Sequence, residues 1–183
     1  SVLHTPHMGG ENEYSLLSYG PERPEHRASD GYYMMFSPDG LHWKDAQPKP
    51  VIPGHQDVGW FMYDQVDDEW RGIVKTFLIS MNKKRRSVMC TISKDGYNWS
   101  LPHPAVLPDP QDDEWADGNP DHYTQFYGMP ITRYESMILG FLEVFKCTDG
   151  VASFDGTTDV QLVSSRNGRE WDRVGDRSPI IER

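Results

Sequence analysis

The sequence predicts an all-β protein, a β-propeller built from four-stranded antiparallel blades, of which the chain holds about three. A motif, Ser-x-Asp/Asn-Gly-x-x-Trp, occurs three times, at residues 37–43, 93–99 and 165–171. An apolar or β-branched run precedes each copy, and a polar stretch and then a proline with aliphatic residues follow it. Supersecondary units that repeat every 40 to 70 residues or so, each with several short strands, are typical of propeller blades.

Each copy of the motif predicts a tight turn that ends in a packed anchor. Glycine accepts positive φ angles, and the Asp or Asn side chain can bond nearby backbone N–H groups. The serine hydroxyl can add a further local bond. The tryptophan would pack as an apolar plug whose N–H finds a partner. The same chemistry makes a turn without any ligand, so the motif indicates architecture rather than activity.

Each unit contains three predicted strands and a short fourth segment. Residues 71–78 also fit a helical stripe, and we favour a strand because the repeat needs a hairpin there. The predicted strands are 14–19, 32–36, 60–64, 71–78, 87–92, 123–131, 136–145 and 159–164, and the fourth segments are 50–52, 104–107 and 179–181. The main predicted loops are 1–13, 21–30, 102–120 and 147–158. The approximate units are 11–54, 55–108 and 117–183.

Three units are too few to close a ring, since typical propellers have about four to eight blades. Residues 1–183 are therefore predicted to be a single propeller domain or a portion of one. Either the missing blades come from a longer chain, or the chain completes itself by association with another copy.

The composition restricts the partners. The formal net charge of −10 argues against nucleic acid or an anionic membrane, because such partners reward Lys and Arg. The one basic run, residues 83–86, is short and is predicted to be a solvated hairpin tip. No stretch is long enough for a transmembrane helix, and no signal peptide is recognisable. A mature secreted protein, or an excised fragment, would also lack one, so the compartment stays open, with a secreted or periplasmic location as the favoured expectation. Cys90 and Cys147 permit one disulfide without requiring it.

The third unit resembles the five-bladed β-propeller glycoside hydrolases of families 43 and 32, and uncharacterised bacterial glycosidase-like proteins near them. The resemblance rests on residues 121–123, Gly128, residues 140–143 and 159–162, and the third motif copy. It covers most of the chain and supports the fold more than the activity. It implies a portion of a five-bladed ring, a carbohydrate substrate, and acidic residues that project from the innermost strands into a central funnel.

Glycoside hydrolysis needs a general acid with a raised pKa and a second carboxylate as base or nucleophile. Asp57 and Asp121 open corresponding strands in successive units. Glu143 lies in an otherwise apolar strand, where burial would raise its pKa. These three are the predicted catalytic residues. Strand capping for the two aspartates, and a salt bridge or an edge position for Glu143, are the structural alternatives. The N-terminal acid of the family has no recognisable equivalent, although Glu11 and Glu13 lie in that region.

The predicted substrate-binding residues are His55, Trp60, His122 and Tyr123. The histidines flank the candidate acids and could bind sugar hydroxyls, while the aromatic rings could stack on a sugar face or pack in the core. No metal-ligand spacing, phosphate loop, dinucleotide fingerprint or nucleophile elbow is present, so no metal or cofactor is expected. The predicted function is hydrolysis of a glycosidic bond by funnel carboxylates. A non-catalytic carbohydrate-binding propeller and a purely structural one are the alternatives.

Overall fold

The computed structural model describes residues 1–8, 10–20, 29–54, 57–150 and 154–181. These residues form fifteen β-strands and three short 3-10 helices, Pro6–Met8, Gly10–Asn12 and Pro110–Ala116. The strands make three antiparallel sheets of about four strands each. The predicted all-β class is confirmed.

The three sheets follow one another along the chain. The first contains β1 Val2–His4, β2 Tyr14–Gly20, β3 Gly31–Ser37 and β4 Lys44–Asp45 in that order, with β5 Ile52–Pro53 also on β3. The second contains β6 Gly59–Asp64, β7 Glu69–Ser80, β8 Lys83–Ser93 and β9 His103–Val106. In the third, β10 Tyr123–Gly128, β12 Met137–Cys147, β13 Gly156–Ser165 and β14 Asp172–Arg173 are neighbours, while β11 Ile131–Tyr134 pairs with β12 and β15 Pro179–Ile181 pairs with β13.

Three predicted segments come out differently in the structure. The ambiguous stretch at 71–78 is a strand, and it extends over Glu69–Ser80. The single strand predicted at 123–131 is two strands, because Pro130 has no N–H to donate and its carbonyl accepts from Phe141 instead. The predicted loop at 102–120 contains the 3-10 helix Pro110–Ala116.

The contacts divide the chain into two compact units. The first comprises residues 1–74 and 91–102, and the second comprises residues 75–90 and 103–183. Each has its own apolar core. The first buries side chains such as Leu17, Tyr32, Met34 and Trp70, and the second buries Phe126, Met129, Ile138, Leu142 and Val163.

The predicted turn chemistry is present in all three motif copies. In the second copy the Ser93 hydroxyl accepts from the Gly96 N–H at 2.9 Å. Asp95 Oδ1 accepts from the backbone N–H groups of residues 97–98 at 2.8 and 2.7 Å. Trp99 Nε1 donates to the Gly96 carbonyl at 2.8 Å. The first and third copies make the same bonds.

The glycine of this turn is required both by its backbone angle and by its surroundings. Gly96 has φ +77°, a region that side chains with a Cβ rarely occupy. A Cβ at this position would also lie 2.8 Å from the Met34 side chain. The turn therefore lies directly against the core of the first unit.

The basic run is partly buried, so its prediction as a solvated hairpin tip is wrong for Arg85 and Arg86. The Arg85 guanidinium donates to both carboxyl oxygens of Asp113, at 2.9 and 2.6 Å, and to the Thr124 carbonyl at 2.8 Å. Arg86 is buried as well. These side chains serve the interior of the second unit rather than an outside partner.

Two further findings concern the cysteines and the membrane. Cys90 and Cys147 are buried and not bridged to each other. No helix among the described residues has the length and apolar character needed to cross a membrane.

The Asp95 side chain can be tested for its contribution to stability. Asp95→Ala removes the acceptor for two backbone N–H groups, so we expect a loss of about 1–2 kcal/mol in the free energy of unfolding. Asp95→Asn keeps the acceptor oxygen, as Asn167 does in the third copy, and should lose less. Chemical denaturation of both variants measures the difference, and equal losses would contradict the proposed role of the oxygen.

The same turns predict a dependence of stability on pH. Burial tends to raise the pKa of Asp95, but the hydrogen bonds from Asn98, Tyr97 and Ser93 outweigh it and lower the pKa to about 2. Hydrogen bonds led by the His42 N–H also lower the pKa of Asp39. The pKa of an aspartate in an unfolded chain is about 4. The stabilisation is therefore present above pH 4 and is lost as the pH falls towards 2. We expect the double variant Asp39→Asn/Asp95→Asn to lose less stability than the wild type over this interval in acid unfolding curves.

Candidate functional site

Glu143 lies in the middle of β12, opposite Gly128 of β10 and Val160 of β13. Its side chain is half-buried. Because side chains alternate along a strand, it shares a face of the third sheet with Phe141 and Phe145. Burial raises the pKa of the Glu143 carboxyl, although the nearby Lys75 ammonium acts to lower it. The carboxyl thus has the environment expected of a proton donor.

Lys75 and Tyr127 form the first part of the surroundings of Glu143. Lys75 lies on β7 and is only 4% exposed. Its ammonium is 4.2 Å from the centroid of the Tyr127 ring, a cation–π contact. The register between β10 and β12 shifts between Phe126 and Gly128, so Tyr127 is the extra residue of a β-bulge. Tyr127 is 38% exposed, which leaves part of its ring accessible.

Gln125 and Arg86 form the second part of the surroundings of Glu143. Gln125 lies opposite Phe145, so it shares the sheet face of Glu143. Its Oε1 accepts from the backbone N–H and the guanidinium of Arg86, both at 3.1 Å. The guanidinium lies 5.6 Å from the Tyr127 ring centroid. Gln125 is 1% exposed, and its Nε2 has no hydrogen-bond partner within the described part of the chain.

We call these five residues, Glu143, Lys75, Tyr127, Gln125 and Arg86, the Glu143 cluster. It combines a carboxyl of raised pKa, a buried ammonium, an unpaired amide donor and an accessible aromatic ring. Groups of these kinds occur in sites that bind hydroxylated ligands and in sites that protonate an oxygen atom. All five residues belong to the second compact unit.

Asp121 lies apart from this cluster. It is exposed just before β10, and its backbone N–H bonds to Asn119 Oδ1 at 2.9 Å. Tyr123 at the start of β10 pairs with Cys147, four residues along β12 from Glu143. At about 3.3 Å per residue this is roughly 13 Å, and Asp121 precedes Tyr123. The carboxyl pairs of glycosidases are about 5–10 Å apart. The structure therefore does not bring Asp121 and Glu143 together.

His122 and Tyr123 lie next to Asp121 but pack in different surroundings. The His122 ring stacks on Trp115, with ring centroids 5.5 Å apart and an interplanar angle of 13°. The Tyr123 ring is buried, and the Lys83 ammonium and the Arg85 guanidinium lie over it at 4.7 and 5.2 Å. The ring of Tyr123 is thus occupied by these two cations.

The remaining predicted residues belong to the first compact unit. Asp57 is exposed. Burial and then the Asp57 charge raise the pKa of the Tyr32 hydroxyl. Trp60 lies on β6 and is 39% exposed. Glu13 Oε1 lies 2.9 Å from His4 Nε2. His55 lies outside the described residues.

Sequence reasoning missed four members of the cluster, namely Lys75, Arg86, Gln125 and Tyr127. A signal was present for two of them. Lys75 interrupts an apolar strand just as Glu143 does, and Gln125 lies among the apolar and aromatic residues of β10. Polar side chains in such strands are buried only with a partner or a role. The bulge that redirects Tyr127 has no comparable signal in the sequence.

Neither a protein-family model nor a curated protein sequence matches the chain. Solved structures do match. An N-acetylgalactosamine deacetylase from F. plautii, in complex with blood group B trisaccharide, matches 99% of this chain and 52% of its own, with TM-score 0.63 and 13% identity. A family 32 β-fructofuranosidase of Bombyx mori matches 91% and 35%, with TM-score 0.59 and 13% identity. A Penicillium chrysogenum α-L-arabinanase, complexed with arabinobiose, matches 99% and 52%, with TM-score 0.54 and 12% identity.

These similarities show the fold. The three sheets match about half of a five-bladed β-propeller of the type found in glycoside hydrolase families 43 and 32. The chain spans about half the length of the first structures that it matches. The predicted resemblance to these propellers is confirmed at the level of structure.

Among the described residues, no group of three or more His, Cys, Asp or Glu side chains is arranged to hold a metal ion.

The influence of Lys75 on Glu143 can be measured directly. The ammonium lowers the pKa of Glu143 against the effect of burial. Lys75→Met keeps the length and removes the charge, so the pKa of Glu143 should rise further above its ordinary value. Carboxyl-detected NMR titration of Glu143 checks this, with Lys49→Met on an exposed site of the first unit as the control. A pKa that falls or stays constant in Lys75→Met would contradict the assignment.

Proposed function

We propose that the chain is part of a carbohydrate-active enzyme that hydrolyses a glycosidic bond, with Glu143 as the general acid. The observation that carries this proposal is the half-buried Glu143 carboxyl with a raised pKa, near Lys75, whose ammonium lies 4.2 Å from the centroid of the partly exposed Tyr127 ring. A general acid must still hold its proton near the working pH, and desolvation favours this state. The fold shared with glycoside hydrolases supports the choice of a carbohydrate substrate.

The other members of the cluster have distinct proposed roles. The exposed part of the Tyr127 ring provides an apolar face for a sugar ring. Gln125 Nε2 is buried and has no partner among the described residues, and a movement of the side chains that cover it would let it donate a hydrogen bond to a sugar hydroxyl. Arg86 holds the amide oxygen of Gln125 and so fixes the orientation of this donor. Glu143 then transfers its proton to the glycosidic oxygen as the bond to the leaving group breaks.

Hydrolysis also needs a second carboxylate that acts as base or nucleophile. Asp57 and Asp121 are the candidates within this chain, with Asp121 at a disadvantage because of its distance along the strand from Glu143. A carboxylate from the part of the propeller that this chain does not span is the third source. The substrates to be tested follow from the matched structures, whose bound sugars include arabinobiose, sucrose and blood group B trisaccharide.

Glu143→Gln is the decisive variant for this proposal. The amide cannot donate a carboxylic proton, so turnover of the best substrate should fall by about 10²–10⁴-fold while KM changes little. The matched control is Glu135→Gln, an exposed glutamate in the turn before β12. Initial rates on arabino-oligosaccharides, sucrose and N-acetylgalactosaminides measure the effect.

Two results would overturn the proposal. Unchanged turnover in Glu143→Gln would remove Glu143 from the mechanism. Sugar binding by the wild type without any turnover on these substrates would favour the non-catalytic carbohydrate-binding alternative. Asp57→Asn and Asp121→Asn, measured in parallel, identify the second carboxylate.

A further inference from the structure

A second concave site lies within the second compact unit. It is a cavity of about 240 Å³ between the 3-10 helix Pro110–Ala116, the third sheet and the loop after β14. The lining side chains that matter here are those of Gln111, Trp115, Val144, Lys146, Gln161 and Arg177. A volume of this size accommodates one monosaccharide ring rather than a long oligosaccharide.

This cavity and Glu143 lie on opposite faces of the same sheet. Val144 and Lys146 line the cavity from β12, and both alternate with Glu143 along that strand. Gln161 lines it from β13, in line with Asp159, which pairs with Val144. Because neighbouring residues of a strand point to opposite faces, the cavity is separate from the Glu143 cluster.

The cations that line the cavity are engaged in ion pairs. Lys146 Nζ lies 2.8 Å from Asp159 Oδ2. The Arg177 guanidinium donates to both carboxyl oxygens of Asp109, at 2.8 and 2.7 Å. Glu114 and Asp176 add two more carboxylates to the lining. An anionic ligand would be repelled by these carboxylates, because each lining cation already has a counter-charge. The carboxylate oxygens can accept hydrogen bonds from hydroxyl groups, which a neutral polyhydroxylated ligand supplies.

Unused hydrogen-bonding capacity lies against the lining side chains. Within the described residues, the buried Asp159 Oδ1 and Arg173 Nε have no hydrogen-bond partner. Asp159 is in contact with Lys146, and Arg173 donates to Gln161. Neither Asp159 nor Arg173 lines the cavity, so the polar groups that a ligand can reach are those of the lining side chains such as Gln111, Lys146 and Gln161. Amide and ammonium groups bond to hydroxyls, so a ligand with several hydroxyls matches this lining better than an apolar one.

Trp115 provides an aromatic surface in the cavity. Its Nε1 donates to Thr124 Oγ1 at 2.9 Å, and His122 stacks on its ring. These two contacts fix the indole, so little conformational entropy is lost when a ligand packs on it. An aromatic side chain surrounded by hydrogen-bonding groups is an arrangement that fits the apolar C–H face and the hydroxyl rim of a sugar ring.

We propose that this cavity, which we call the Trp115 cavity, binds a single neutral sugar unit at a site distinct from the Glu143 cluster. Three of the carboxylates around the cavity, those of Asp112, Asp159 and Asp109, are engaged by Arg173, Lys146 and Arg177. The proposal does not require Glu143 to be catalytic.

The test follows the Trp115 indole N–H by NMR during titration of the full chain with arabinobiose, sucrose or N-acetylgalactosamine. We expect at least one of the three sugars to give a saturable shift with a dissociation constant in the millimolar range. Gln111→Phe places a ring in the cavity lining and should weaken this binding at least about tenfold. Leu107→Phe, at an exposed position outside the lining, is the matched control and should leave the affinity unchanged.

The outcomes separate this inference from the proposed hydrolysis. A saturable shift that persists in Glu143→Gln supports a separate site, whether or not that variant has lost turnover. Absence of a saturable shift with all three sugars would overturn the inference. So would a shift that is equally strong in Gln111→Phe, or one that disappears in Glu143→Gln while the protein stays folded.

Discussion

The structure depends on how the backbone hydrogen bonds are satisfied at the turns after β3, β8 and β13. A turn peptide that leaves a sheet needs an acceptor for each N–H that the ladder no longer serves. In each turn the serine hydroxyl and the Asx oxygen supply these acceptors, and the tryptophan N–H returns to the glycine carbonyl. Asn167 replaces aspartate in the third turn with the same bonds, so the turn forms with an amide oxygen as well as with a carboxylate oxygen.

Local sequence predicted these turns and the strands before them because every interaction involved spans only a few residues. It failed where the partner is distant in sequence. Arg85 looked like a solvated residue in a basic run, yet it is buried because Asp113 and the Thr124 carbonyl, 28 and 39 residues away, accept its hydrogen bonds. Composition alone cannot show whether such a partner exists, so a buried cation and an exposed one look the same in the sequence.

The sequence likewise predicted only part of the candidate site. Glu143 could be found because a carboxylate in an apolar strand is costly unless it has a role. Lys75 and Gln125 carry the same signal, but the sequence does not show that they meet Glu143, because Lys75 comes from a different sheet, and Tyr127 depends on a bulge that has no signal. For Asp121 the sequence predicted the place in the strand but not the distance from Glu143. It opens its strand as predicted, but the direction of β10 carries it away from Glu143, and only the strand register reveals this.

The bulge in β10 explains why Glu143 is only half-buried. In an uninterrupted ladder Tyr127 would stand opposite Glu143, and its ring would cover the carboxyl. The extra residue moves Gly128 into that position, and glycine has no side chain to place over the acid. Gln125 stays on the same face, while Tyr127 turns aside above Lys75. On the other face of β12, Lys146 and Asp159 form a direct ion pair. One strand thus presents a carboxyl of raised pKa on one side and neutralised charges on the other, and a shift of one residue in register would exchange the two faces.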